Sequence, residues 1–348
     1  MKHTHLHTRL LALLLCCALV LPLSACGEEK STTQQIFAMD TVMDLTAYGK
    51  KADDGINAAI SIINSMDTLL DPENERSKTY EINHAMGSPV VVNEQIAKML
   101  RTAQTVYERT NGAFDLTTYP LSKLWGFIDQ NYRVPSDAEI ERLLPCVDMS
   151  KVQLAATDDS ANSLVTMPAD MALSFGAVAK GCASEYAIQA MRAAGVTSGV
   201  VSLGGNVQTL GKKPDGSDWN IAIQDPKDTG SYLGYLTVGE TAVITSGSYQ
   251  RYFTEGGQKY HHILSPTTGR PVNNGLLAVT IVCEDGTLAD CLSTAMFVLG
   301  PQAARNYWRT YGGFEMLLVK TDGHVVLTNG LYGQFTPNGD SYVVDYAS

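Results

Sequence analysis

Between residues 199 and 282 the chain sets strand-like apolar runs one after another, with no helical repeat separating them. The runs fall at 199–207, 219–224, 233–238, 242–244 and 276–282. Contiguous strands of this kind do not suit a doubly wound parallel sheet, so an α+β fold with mixed or antiparallel sheets and packed helices is expected. Helical spacing predicts a helix over 53–70, with Ile56, Ile60, Ile63 and Met66 on one face. Asn93 is placed to cap a second helix that runs to Thr110 and stops at Gly112. Ser136 and Glu139 form a capping box for a third. Helices over 177–194 and 287–299 end at Gly195 and Gly300, and Pro301 opens another. Residues 38–48 alternate as a strand, and 314–328 read as a hairpin turned at Asp322-Gly323.

The first 25 residues stand apart from this pattern. Lys2 and Arg9 give a basic head, residues 10–23 an apolar run too short to span a bilayer, and Leu23-Ser24-Ala25 leads into Cys26. Small residues ending in cysteine look like a lipoprotein cleavage site. The expected mature chain begins at Cys26, lipidated on its sulfur and amine and held on the extracytoplasmic face of the cell membrane. Residues 26–35 then serve as a polar tether, and 36–348 form the body. A net charge of −11 speaks against a nucleic-acid partner. The body's cysteines, Cys146, Cys182, Cys283 and Cys291, show no paired spacing, so they are expected as small buried hydrophobes rather than a zinc or redox site. A disulfide among them is open.

Four stretches carry residues with chemistry to offer. The densest runs from Thr245 through Arg251 to His261, His262, Arg270 and Val272, with hydroxyls, imidazoles and arginines at strand ends, as an anionic ligand requires. A polar hairpin tip would have the same composition. Arg270 can pair with phosphate or pin its own turn. Asp290 and Thr294, four apart on a helix, share a face and can offer two hard oxygens to magnesium, with Ser293 beside them. They can equally serve the helix itself. Gly176, Lys180 and Gly181 sit at a helix start, where free amides attract phosphate. Asp115, among aromatics from Phe114 to Trp125 and Phe127, suits a planar polar ring system or simply a packed loop.

Taken together, the blocks FAMDTVMDL (37–45), GAFDLTTYPLSKLWGF (112–127), LSFGAVAKGCASEYA (173–187), VVSLGGN (200–206), WNIAIQDP (219–226), TSGSYQRYF (245–253), HHILSPTTGRPV (261–272) and ADCLSTAMFVLG (289–300) resemble the ApbE family of FAD:protein FMN transferases. The resemblance spans nearly the whole body. It implies a bilobal, T-fold-related α+β architecture with FAD in the cleft. Magnesium would be held by Asp290, Thr294 and the Ala177 carbonyl. FAD would be contacted by Met39, Ala113, Phe114, Asp115, Ser174, Lys180, His262, Ile263 and Leu264. The implied reaction moves FMN from FAD to a threonine of an acceptor flavoprotein, a membrane-associated redox protein, and releases AMP; His262 is the candidate base.

Two positions depart from the family. Ser265 and Ser174 stand where aspartates are usual, which removes negative charge near the expected diphosphate. Either a ligand is lost there or the positions are peripheral. An FAD pyrophosphatase, or a surface lipoprotein that binds FAD without turning it over, are the competing readings.

Overall fold

Apolar residues in this chain alternate between two cores rather than between core and water. Along Glu315–Lys320, Met316 and Leu318 enter one core while Leu317 and Val319 enter another. A strand covered on both faces has no polar alternation to show, which is why it reads as a continuous apolar run.

The computed structural model describes residues 30–347. Cys26 and the segment before it lie outside the described residues. From Ser31 onward the chain is one compact unit built on a nine-stranded sheet. We number its strands β1 (Ser31–Ala38), β2 (Thr41–Tyr48), β3 (Gly199–Leu203), β4 (Asn206–Leu210), β5 (Ala242–Gly247), β6 (Leu276–Cys283), β7 (Glu315–Lys320), β8 (His324–Thr328) and β9 (Val343–Ala347). Their order across the sheet is their order along the chain. Each neighbouring pair is antiparallel except β8 and β9. The antiparallel expectation therefore holds, and the mixed character comes from the last strand alone.

Five longer helices accompany the sheet: α1 (Ala52–Leu70), α2 (Glu94–Arg109), α3 (Ala179–Ala193), α4 (Gly286–Leu299) and α5 (Pro301–Tyr311). Their apolar stripes and one sheet face form the main core. The other face is covered by a three-stranded sheet of Trp219–Gln224, Tyr232–Val238 and Phe335–Pro337. A third, smaller cluster joins Leu121, Trp125, Phe127 and Ile140 to Leu264. Among the described residues no helix is long and apolar enough to cross a membrane.

The helix starts follow from their caps. The Asn93 side chain accepts from Ile96 N–H at 3.1 Å, and the Glu139 carboxylate accepts from the Ser136 N–H at 2.9 Å. Asp285 caps α4 by accepting from Leu288 N–H at 2.8 Å. Gly300 lies at φ 80°, which ends α4 and lets Pro301 begin α5.

Two expectations are corrected. Residues 31–35 are not tether but the first part of β1. Residues 38–48 are not one strand. Met39 and Asp40, at φ 48° and 57°, turn the chain between β1 and β2. Two successive positive φ values make the tight hairpin turn that normally selects Asn-Gly, so neither residue announced it. The Asp67 carboxylate holds the turn by accepting from Met39 N–H at 2.7 Å. All four body cysteines are free thiols, three of them buried, as small hydrophobes would be.

Candidate active site

The geometry of the site begins at a crossing of two helices. A Cβ on Gly181 in α3 would lie 2.2 Å from the Gly286 carbonyl oxygen and 2.5 Å from the Asp290 Cβ in α4. Only glycine permits that approach. It lets the Gly181 N–H, in the first turn of α3, donate to Asp290 Oδ2 at 2.8 Å. Asn206, at the start of β4, donates its side-chain amide to Asp290 Oδ1 at 3.0 Å. The carboxylate is buried, and each oxygen is oriented by one donor while keeping a further lone pair.

The same diversion frees a backbone oxygen. Gly181 N–H would bond the Ala177 carbonyl if the helix simply continued, but it bonds Asp290 instead. Among the described residues no donor reaches the Ala177 carbonyl. On α4, one turn after Asp290, the Thr294 hydroxyl lies 3.2 Å from Ser246 Oγ at the end of β5, which also meets Ser293 Oγ at 2.8 Å. Asp290, Thr294 and Ala177 line one cleft. Its donors there are a carboxylate, a hydroxyl and a carbonyl, the oxygen set that a hard divalent cation takes. No group of three or more His, Cys, Asp or Glu side chains gathers among the described residues, so such an ion would depend on ligand oxygens to complete its shell.

The cleft encloses about 1070 Å³, its open mouth included. Ala113, Phe114, Asp115, Ser174, Lys180, His262, Ile263 and Leu264 line it with the residues above. Met39 lines an adjoining chamber, which shares Phe127, Ile128, Lys180, Thr245, Gln250 and Arg251 with the first. Thus every body residue that the resemblance assigns to FAD or to the metal lines one or the other of these two adjoining hollows.

Their roles differ from residue to residue. Asp115 is 8% exposed, and its oxygens accept from Thr117 N–H at 2.7 Å, Thr117 Oγ1 at 2.6 Å and Met149 N–H at 3.0 Å. Burial nevertheless raises its pKa above the ordinary carboxylate value. Asp115 therefore organises the loop that borders the cleft. Phe114 and Trp125 do not offer open faces for stacking. Both are buried, and the Trp125 indole N–H donates to the Gly269 carbonyl at 2.8 Å. Gly176 makes no close approach to other backbone, unlike Gly181.

Two charged groups remain available. Among the described residues neither Lys180 nor Arg251 has an ion-pair partner. In the sequence Arg251 is one donor of its stretch, with no role of its own. Arg270, which has a phosphate role open to it there, pairs with Asp137 and lines a different hollow. The open positive charge tells on His262. Its Nδ1 donates to the Arg251 carbonyl at 3.2 Å, and among the described residues Nε2 has no hydrogen-bond partner. Burial, then the Arg251 guanidinium, drive the imidazole pKa down to about 3, with Lys180 adding to the effect. His261 behaves differently. Nε2 donates to the Val272 carbonyl at 2.8 Å and Nδ1 accepts from Ile263 N–H at 3.3 Å, so it is structural.

The two departures from the family pattern also separate. The Ser265 hydroxyl accepts from Thr268 N–H at 3.3 Å within its own turn and does not border the cleft. Ser174 does border it and accepts from Gly176 N–H at 3.2 Å.

Residues 39–318 match the model of the ApbE family. A protein of Klebsiella pneumoniae named FAD:protein FMN transferase is 30% identical over 285 residues, covering 81% of this chain and 87% of its own. One of the same name from Treponema pallidum is 30% identical over 307 residues, covering 84% and 85%. The crystal structure of the ApbE protein of Thermotoga maritima superposes with a TM-score of 0.81 at 30% identity, covering 88% of this chain and 100% of that one. The flavin transferase ApbE of Vibrio cholerae shares the fold at a TM-score of 0.74 and 22% identity. With the family's pattern matched from the hairpin turn at Met39 to β7, and with the resembling blocks gathered around one cleft, the chain belongs to the ApbE family.

Proposed function

We propose that this protein transfers the FMN half of FAD to a threonine hydroxyl of an acceptor flavoprotein, with AMP as the leaving group and magnesium as the metal. The supporting observation is the convergence, in one cleft, of a hard-oxygen set (Asp290, Thr294, the Ala177 carbonyl), of Lys180 and Arg251, which have no ion-pair partner among the described residues, and of the His262 Nε2, which has no hydrogen-bond partner among them. The names of the relatives agree with this reading.

The chain's own groups divide the work. Lys180 and Arg251 bind the diphosphate oxygens and orient the FMN phosphorus toward the acceptor. Asp290, Thr294 and the Ala177 carbonyl would hold the ion. When bound, magnesium would neutralise charge that builds on the diphosphate as the bond to AMP breaks. A new bond forms between the threonine oxygen and the FMN phosphorus, and the bond from that phosphorus to the AMP oxygen breaks. The hydroxyl proton passes to His262 Nε2. A histidine with a pKa near 3 is a weak base, but phosphate oxygens at Lys180 and Arg251 offset the part of that depression which those two charges add to burial. His262 thus gains basicity when the anionic substrate is present.

The Cys26 site lies outside the described residues. We infer from its sequence a lipid anchor that holds the body at the outer face of the cell membrane, where membrane-associated redox proteins expose their acceptor segments.

The test combines purified protein, FAD, magnesium and a candidate acceptor, followed by intact-mass and peptide analysis. A mass gain equal to FMN on one threonine, with equimolar AMP, is expected. Free FMN and AMP without modification of the acceptor would make the protein a pyrophosphatase. Tight FAD binding with no AMP at all would make it a carrier.

A further inference from the structure

We propose that the outer edge of β1 is the docking rail for the acceptor, which adds an extended, hydroxyl-bearing segment as a tenth strand and so delivers it to the cleft; this rests on the transferase reading above.

β1 is a terminal strand of the large sheet, and among the described residues no element hydrogen-bonds to its outer side. Its eight residues, Ser-Thr-Thr-Gln-Gln-Ile-Phe-Ala, contain no charge and no proline. Their pairing with β2 runs without a bulge. Folded proteins usually blunt such an edge with lysine, proline, a bulge or a cover, because bare N–H and C=O groups invite another strand. Among the described residues none of these devices is present on β1. At the other end of the sheet, β9 carries Asp345 in an ion pair with His324.

The register states which groups are offered. Ala38 pairs with Thr41 across the two-residue turn, which makes the even-numbered residues of β1 the hydrogen-bonded partners of β2. Thr33, Gln35 and Phe37 therefore aim their N–H and C=O outward. The Gln35 side chain, by contrast, is spent on Asp44, to whose Oδ1 it donates at 2.8 Å. Phe37 is 71% exposed and faces Val42, 51% exposed, across the hairpin, an apolar pair at the end of the rail.

The rail also ends where the chemistry begins. β1 runs directly into Met39, Asp40 and Thr41, which line the chamber that shares Lys180 and Arg251 with the cleft. A strand laid on β1 would have one end at that chamber. Main-chain pairing gives affinity for any extended segment, and the pocket at its end supplies the selection. An uncharged rail suits an uncharged acceptor segment.

The test uses a redox subunit that the wild type modifies, as judged by the FMN mass gain. Gln35→Pro removes one outward N–H and leaves the inner ladder intact. Gln35→Ala keeps that N–H but loses the same side-chain bond to Asp44. Gln35→Pro is expected to raise KM for the acceptor about tenfold, with KM for FAD unchanged, while Gln35→Ala stays near wild type. In the wild type, hydrogen exchange at Thr33, Gln35 and Phe37 is expected to slow when the acceptor is added; this measurement stands even if the proline variant folds poorly. Equal KM for both variants, or exchange unchanged by the acceptor, overturns the proposal. So does a wild-type dimer that Gln35→Pro dissociates without touching KM for the acceptor, since the edge would then serve a second copy. If the wild type transfers FMN and only these results fail, the docking rail falls and the transferase reading stands. If the wild type modifies no acceptor, both fall.

Discussion

Asp290 ties α3, α4 and β4 together through one side chain. Asp290→Ala is expected to lower divalent-dependent turnover of FAD by about 100-fold or more while far-UV circular dichroism stays native. Turnover at the wild-type rate, with magnesium as the only metal, would remove Asp290 from the metal site. Asn206 offers a finer test, because its amide orients the carboxylate that would hold the ion. Asn206→Ala should raise the magnesium concentration for half-maximal binding about 10-fold, read by calorimetry, and leave FAD affinity without metal unchanged. His262 provides a pH signature. Its folded pKa of about 3 lies below the ordinary 6.5, so between those values the unfolded chain binds more protons than the native one. Stability therefore rises with pH across that window and is lost as acid is added. His262→Gln should flatten the slope of urea stability between pH 6 and 4, and an unchanged slope would show that the histidine does not contribute. Sequence alone could not have chosen between Arg270 and Arg251. The partner that occupies Arg270 is Asp137, 133 positions earlier, and only the fold brings them together.

At the scale of elements, the crossing of α3 and α4 is the feature on which the site depends. Gly181→Ala would drive a methyl group into the Gly286 carbonyl and Asp290, and something must shift to admit it. A loss of about 1–3 kcal/mol in urea unfolding is expected, together with weaker metal binding, because the Gly181 N–H moves with the helix. A variant as stable as the wild type would mean that the helices separate freely. The periodic helices were legible from sequence because their buried stripes repeat and their ends carry Asn93, Ser136, Gly300 and Pro301. β1 was not legible. An exposed edge strand has no buried face to write a pattern, and Met39-Asp40 is not a turn sequence. The short strands Val90–Asn93, Gln153–Ala156 and Asn162–Thr166 escaped for a similar reason: four or five residues are too few to show a period. The role of Asn206 was also hidden, since its partner lies 84 residues away.

At the scale of the whole molecule, the proposed anchor would stand beside the sheet edge and the cleft. Only residues 27–30 separate Cys26 from β1, so a lipid on that sulfur would hold the body on a leash no longer than roughly 17 Å. A short leash changes how the enzyme meets its acceptor. For an acceptor in the same membrane, encounter becomes a two-dimensional search with a high effective concentration; for a soluble fragment of that acceptor it does not. Cys26→Ala is therefore expected to move the protein from the membrane fraction to the soluble fraction. It should slow modification of the membrane-embedded acceptor by about 100-fold at equal protein concentration, and leave the rate on the soluble fragment unchanged. Those two rates distinguish an anchor from a structural cysteine. If both fall together, Cys26 supports the fold and not the address. If the protein stays in the membrane fraction, another segment holds it there. If it is released and both rates remain equal to the wild type's, the leash has no part in bringing the cleft to its acceptor.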